Sequence, residues 1–250
     1  MRQTMILTEN LTKRFGNNVA VDALNLEIDA GTFFCFLGPN GAGKTTTIKM
    51  LTGLLHPAAG RAVLGGHDIQ REPVAAKRQL GYVPDQPFLY DKLTGREFMH
   101  FVAGLYQLAG GAWENKRDEL LEMFEIARVA DQLVEDYSQG MRQKLCFAAC
   151  FLHDPRIVIV DEPWVGLDPK NIRFVKDFLK QKTQEEGLTV FMSTHTLSIA
   201  EEIADVIGII NEGRLLHVGT VAQIKALRAH PGSLEDVFLE LTRPTDEMPA

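Results

Sequence analysis

The sequence predicts an α/β fold: a largely parallel sheet core, an antiparallel β subdomain at the N-terminus and a helical lobe inserted into the core. Three observations predict it. Phe33-Phe34-Cys35-Phe36-Leu37, Ile157-Val158-Ile159-Val160 and Thr189-Val190-Phe191-Met192-Ser193 are short core-strand runs, of the kind that fits a sheet covered on both faces. The residues before Phe33 instead show the shorter apolar stretches of a half-covered sheet. Between residues 88 and 152 strand signals vanish and apolar residues recur at helical spacing.

In chain order, Met5-Ile6-Leu7, Val19-Ala20-Val21 and Leu24-Asn25-Leu26-Glu27-Ile28 read as strands, with Gly16-Asn17-Asn18 as a turn between them. The Phe33 strand runs into a glycine-rich loop, and a helix follows through Ile48 and Leu51 towards Leu55. Gly60 and Gly65-Gly66 read as breaks. Leu80 to Val83 reads as a strand ended by Pro84. In the lobe, Phe98, Phe101, Val102 and Leu105 form one apolar stripe. Leu120, Leu121 and Phe124 form a second, and Leu145, Ala149 and Leu152 a third. A helix is expected over Pro169–Glu186. Residues 206–210 and 215–218 flank the hairpin signal Asn211-Glu212-Gly213-Arg214. Ser233-Leu234-Glu235-Asp236 opens a last helix with a capping-box pattern, and the residues after Thr242 read as a loose tail. This divides the chain into an α/β core with its antiparallel subdomain (1–87 and 153–228), a helical lobe (88–152) and a C-terminal helix and tail (229–250).

Composition narrows the function classes. Of the 250 residues, 45% are hydrophobic and 24% charged, the mix of a globular protein rather than a disordered chain or a fibre. A net charge of −7 argues against general nucleic-acid binding, which needs a basic face, so no nucleic-acid partner is expected. Three cysteines make no disulfide framework. Cys146 and Cys150, four apart on one helix face, read as buried thiols. The six histidines other than His195 show no ligand spacing. No apolar run reaches about 18 residues, and Met1-Arg2-Gln3-Thr4 opens no signal peptide. A cytoplasmic chain is expected, with any membrane part supplied by another chain.

Gly38-Pro39-Asn40-Gly41-Ala42-Gly43-Lys44-Thr45 fits the G-x-x-x-x-G-K-[ST] pattern, placed between a buried strand and a helix. The glycines let backbone N–H groups converge on phosphate oxygens, and the following helix points its positive end at the same anion. Lys44 is expected on the β- and γ-phosphates and Thr45 on Mg²⁺, with Thr46 as a further donor, so the ligand expected is ATP with Mg²⁺. Asp161 and Glu162 follow the second core strand at its carboxyl end, where ligands gather in such sheets. Asp161 is suited to hold Mg²⁺, directly or through water, and Glu162 to act as general base towards the attacking water. His195, ending the third core strand, is placed to touch the γ-phosphate.

Tyr137-Ser138-Gln139-Gly140-Met141-Arg142-Gln143 opens a second helix suited to phosphate, with Ser138 as cap and Gly140 allowing close backbone approach. The phosphate held by Lys44 already has its own helix. The simplest resolution is a second copy packed head to tail.

With these motifs the chain resembles the nucleotide-binding subunit of an ABC transporter over about residues 5–242. The phosphate loop, Asp161-Glu162 and His195 occur in that family's order. Ser138-Gln139-Gly140 matches the family signature, whose usual L-S-G-G-Q stands here as Tyr137-Ser138-Gln139-Gly140-Met141, a variant familiar in ABC-2-type exporters. The resemblance implies a P-loop NTPase (RecA-like) core and two ATP molecules between paired subunits. It places Asp168, in Val165-Gly166-Leu167-Asp168, at the dimer interface and Phe15, in Lys13-Arg14-Phe15-Gly16, on the adenine. Leu234-Glu235-Asp236-Val237-Phe238-Leu239 resembles the end of many exporter ATPases. One departure stands out: the family's glutamine after the strand Leu80 to Val83 is replaced by Asp85, with Gln86 next. Asp85 can bind Mg²⁺, for example through water, but an ionised carboxylate donates no hydrogen bond; the glutamine's role falls to Asp85 or Gln86.

The implied function is ATP hydrolysis that powers a separate membrane permease, an exporter on the resemblance, from the cytoplasmic face of the cell membrane. The implied partners are that permease and a second ATPase subunit, identical or paralogous. Residues 85–90, with the apolar Pro87-Phe88-Leu89-Tyr90, would pass the motion on. The alternative is a soluble ABC ATPase such as that of iron–sulfur cluster assembly; the Tyr137 variant and the C-terminal string argue against it. A P-loop kinase or GTPase would lack the Ser138 signature.

Overall fold

A computed structural model describes residues 3–164, 167–227 and 233–242. The expected tail after Thr242, the pair Val165-Gly166 and residues 228–232 lie outside the described residues.

The N-terminal segments form two long strands rather than three short ones. β1 (Thr4–Phe15) and β2 (Asn18–Asp29) pair antiparallel and turn at residues 16 and 17. Register shifts interrupt the pairing, and Asn10 and Ala23 take left-handed backbone there. These irregularities break the period-two pattern, which is why the sequence reads as shorter pieces. β4 (Ala59–Leu64) and the two-residue β5 (His67–Asp68) complete a sheet of order β2-β1-β4-β5. Sequence reading missed β4 because Ala59, Gly60 and Arg61 are exposed and carry no apolar signal.

The second sheet comprises β3 (Phe33–Leu37), β6 (Leu80–Val83), β7 (Ile157–Asp161), β8 (Thr189–Thr194), β9 (Val206–Asn211) and β10 (Arg214–Gly219), in the order β10-β9-β3-β8-β7-β6. All neighbours run parallel except the β9–β10 hairpin. β3, β7 and β8 are buried along their whole length, as strands covered on both faces require. Alternate side chains of β3 feed two cores. Phe33, Cys35 and Leu37 join a cluster shared with the helical lobe, while Phe34 and Phe36 face the antiparallel sheet.

The helices are α1 (Lys44–Leu51), α2 (Pro73–Arg78), α3 (Gly95–Leu105), α4 (Ala112–Met123), α5 (Gln139–Cys150), α6 (Pro169–Glu186), α7 (Leu197–Ile203), α8 (Val221–Lys225) and α9 (Leu234–Leu241). α2, α7 and α8 have five to seven residues each, too few to show a repeating apolar stripe, and went unread. α3, α4 and α5 carry the three lobe stripes, with Phe124 and Leu152 just past the ends of α4 and α5. Ser233 caps α9 in a capping box completed by Asp236. No helix among the described residues is long and apolar enough to cross a membrane. All three cysteines are free; burial raises the Cys146 thiol to about 12 and pushes Cys150 well up, so neither is a thiolate.

Parallel register sets the site. Leu37 lies opposite Thr194 and Ile209, Asp161 opposite Ser193, and Val83 opposite Val160. The chain therefore leaves β3, β7 and β8 at one edge of the sheet, beside one another.

Candidate functional site

The loop between β3 and α1 is built around two left-handed glycines. Gly43, with φ +108°, has no room for a side chain: a Cβ would lie 2.6 Å from the Ala20 carbonyl oxygen. Gly41, with φ +82°, faces open space instead, the side from which an anion can approach. The Gly213 N–H, in the β9–β10 turn, donates to the Ala42 carbonyl at 2.9 Å and braces the loop from behind. The first amides of α1 have no partner within the helix and point outward.

Lys44 is buried, and its ammonium donates to the Gly38 carbonyl at 2.7 Å and the Pro39 carbonyl at 3.1 Å. It also lies 3.9 Å from Glu162 Oε1. Burial holds its pKa below the ordinary lysine value, against the pull of Glu162 and Asp161. A cation so placed is short of solvent and rich in weak acceptors; phosphate oxygens would serve it better.

Asp161 is fully buried at the end of β7. Its Oδ1 accepts from the Ser193 hydroxyl across the sheet, while its Oδ2 has no partner. Burial raises its pKa; the Ser193 and Thr45 hydroxyls oppose the rise, and the Asp85 and Glu162 charges add to it. An orphaned buried carboxylate oxygen next to the Thr45 hydroxyl is a hard-oxygen arrangement that suits Mg²⁺. No group of three or more His, Cys, Asp or Glu side chains among the described residues could hold a metal ion. Mg²⁺ does not need one, since it keeps water and takes phosphate oxygens alongside one or two protein ligands.

Glu162 takes left-handed backbone, and its N–H is held by the Ser193 carbonyl and hydroxyl, both at 3.2 Å. Its carboxylate meets His195 Nδ1 at 2.9 Å. The residues after β7 and β8 thus converge with Lys44 into one cluster. Ser193 was not singled out from the sequence, yet it fixes both Asp161 and Glu162. Only the β7–β8 register reveals it.

The remaining expected residues lie apart from this cluster. Ser138 caps α5, accepting from the Met141 N–H at 3.3 Å; Ser138 and Gln139 are exposed, Gly140 partly so. The neighbouring Arg142 binds only lobe groups, the Val134 carbonyl and Asp91. Asp168 caps α6: its carboxylate accepts from the Asn171 N–H at 2.9 Å and side-chain amide at 2.6 Å, which hold its pKa below the usual range. Phe15 stands 50% exposed at the end of β1, with the Lys13 ammonium 5.3 Å from its ring centre. Asp85 is exposed, but its charge reaches both Asp161 and Tyr82.

Asp85 and Gln86 also line a groove of about 660 Å³ between the core and the lobe. Leu54, Phe88 and Leu105 give it an apolar rim, exposed at 61%, 85% and 65%. Inside it His153 stacks on Tyr106 with ring centres 3.6 Å apart; burial lowers its pKa to about 4, so it is a neutral packing residue.

Comparison with known proteins agrees with this geometry. A family model described as ABC transporter matches residues 21–165. The chain is 37% identical over 226 residues to a daunorubicin resistance ATP-binding protein of Streptomyces coeruleorubidus, covering 90% of this chain and 71% of that one. A solved ATP-binding subunit of an ABC transporter is similar at a TM-score of 0.89 and 31% identity, over 96% of this chain and 100% of that one. A dimeric ATP-binding cassette in a post-hydrolysis state, bound to ADP and Pi, is similar at a TM-score of 0.79 and 26% identity, over 86% and 98%.

Proposed function

The chain belongs to the ABC transporter family of ATP-binding proteins, and from that premise we propose that it is the ATP-hydrolysing subunit of an exporter, paired with a second such subunit beneath a separate membrane permease. The observation that carries this is the convergence of Lys44, Asp161, Glu162 and His195 behind an open, anion-ready glycine loop.

Residues 38–46 bind the triphosphate. Lys44 leaves the Gly38 and Pro39 carbonyls for the β- and γ-phosphates, and the α1 amides receive the same oxygens. Phe15 offers an exposed ring to the adenine. Thr45 and Asp161 would hold Mg²⁺, with Asp85 placed to reach it through water. Bound there, Mg²⁺ would neutralise charge on the phosphate oxygens. Glu162 orients and deprotonates the attacking water, and His195 holds the Glu162 carboxylate in place and faces the γ-phosphate. Ser138, Gln139 and Gly140 of one subunit close on the γ-phosphate bound to the other, with Asp168 at the same interface.

The groove beside Asp85 is the seat for the permease, whose docking keeps the subunit at the cytoplasmic face of the membrane. Exposed apolar side chains of this size on one rim mark an interaction surface. A soluble ATPase without a permease gives no account of it. Export is favoured over uptake by the Tyr137 to Met141 signature and by the resistance function named for the relative.

The test is Glu162→Gln. Removing the general base is expected to lower hydrolysis by about 10²- to 10⁴-fold and to trap an ATP-bound dimer on gel filtration. A variant that stays monomeric with saturating ATP and Mg²⁺ would count against the paired site.

A further inference from the structure

α4 ends in a two-residue knuckle, Phe124 and Glu125, that touches two other helices twice. Phe124 is 1% exposed. Its ring stacks on Phe147 of α5, centres 6.0 Å apart, and meets Phe174 and Phe178 of α6 edge-on, both at 5.4 Å. Glu125 takes left-handed backbone, fixed by N–H bonds of its own to Glu122 and of Ile126 to Leu121, both 2.9 Å. Its carboxylate accepts from Lys144 of α5 at 3.3 Å and from Lys170 of α6 at 2.9 Å.

The helices so joined are α5, which begins at Ser138, and α6, which begins at Asp168. Both starts belong to the surface assigned above to the opposing subunit. An exposed ion pair alone contributes little. Here the Lys144 side chain is only 11% exposed, so the Glu125 carboxylate is a close counter-charge where little water can replace it. The charge of Lys144 also reaches Asp168.

We propose that Phe124 and Glu125 are positioning residues that lock α5 against α6, so that Ser138 and Asp168 of one subunit meet the partner's ATP as a single rigid surface. This rests on the paired-subunit reading. None of the contacts involves residues 38–46, so a single subunit should bind ATP without the knuckle, whereas the pair should not close well.

Two variants test it in the Glu162→Gln background: Glu125→Lys, which sets a third cation beside Lys144 and Lys170, and the milder Glu125→Gln. The ATP concentration giving half-maximal dimer should rise about tenfold for Glu125→Lys, the size of coupling between contacting residues, and less for Glu125→Gln. ATP affinity of the dilute monomer should stay within about twofold for both, and with Glu162 restored kcat should fall as dimerisation weakens. Unchanged dimerisation in both variants, with the parent dimerising normally, overturns this inference and leaves the function standing. An equal loss of monomer affinity overturns it too, by making the defect general. A parent that never dimerises overturns the paired reading, and this inference with it.

Discussion

Two helix N-termini in this chain are suited to phosphate, and they are built differently. α1 begins inside a cradle. Its loop is braced by the β9–β10 turn, its lysine is buried, and two carboxylates and a histidine converge on it from neighbouring strands. α5 begins at an exposed serine whose cap bond and neighbours all lie within the lobe. One gathers the groups proposed for chemistry but is open on its outer side. The other has a donor set and nothing to act on. The difference fits the proposal that the catalytic unit is larger than the chain, with the second N-terminus closing on another subunit's site.

If the contrast is sound, damage at the two ends should separate binding from assembly. Lys44→Ala should weaken ATP binding by on the order of 100-fold, the loss of charge-assisted hydrogen bonds to phosphate. A nucleotide titration on the dilute subunit measures it, and unchanged affinity would break the comparison at its stronger end. Ser138→Ala should leave that affinity intact. It should raise the ATP needed for dimer formation by about tenfold and, as a lost helix cap, lower the melting temperature by about 2–4 °C. If it weakens monomer binding instead, α5 serves its own chain's site.

The smallest effect sharpens the picture of the cradle. Asp161 is held above the ordinary aspartate value of 3.8, so folding disfavours its ionised form. That destabilisation is fully present above its raised pKa and fades as pH falls towards 3.8. Asp161→Asn should therefore raise the melting temperature of the nucleotide-free protein by about 2 °C at neutral pH while abolishing Mg²⁺-dependent hydrolysis. A drop in melting temperature would mean the buried charge is better satisfied than its orphaned Oδ2 implies.

The readable parts of the fold share a cause. β3, β7 and β8 are covered on both faces, so their sequences are mostly apolar and their bounds emerge nearly residue by residue. α6 shows its length through Asp168 and Pro169 at one end and Gly187, in left-handed backbone, at the other. The unread parts share a cause too. β4 is exposed at its start, β1 and β2 slip in register, and α2, α7 and α8 are too short to show a period. In the candidate site, Lys44 was legible from the glycine-loop pattern, and Asp161, Glu162 and His195 because each lies at or just past the carboxyl end of a buried strand. Ser193 was not, since a serine in a strand says nothing until its neighbour across the sheet is known.

By itself the sequence determined the phosphate loop, the carboxylate pair that follows a core strand and the second, Ser138-capped helix start. Local chemistry dictates all three: glycines for left-handed backbone, a lysine and hydroxyls for phosphate and its cation, a serine for a cap. Only the tertiary structure decided the order and register in which β3, β7 and β8 lie side by side. That register places Glu162 between Lys44 and His195 and leaves Asp161 with one oxygen free. It also decided that Phe124 and Glu125 bridge α5 to α6. These are contacts between residues tens of positions apart, set by how strands pair and helices pack, and no local preference encodes them.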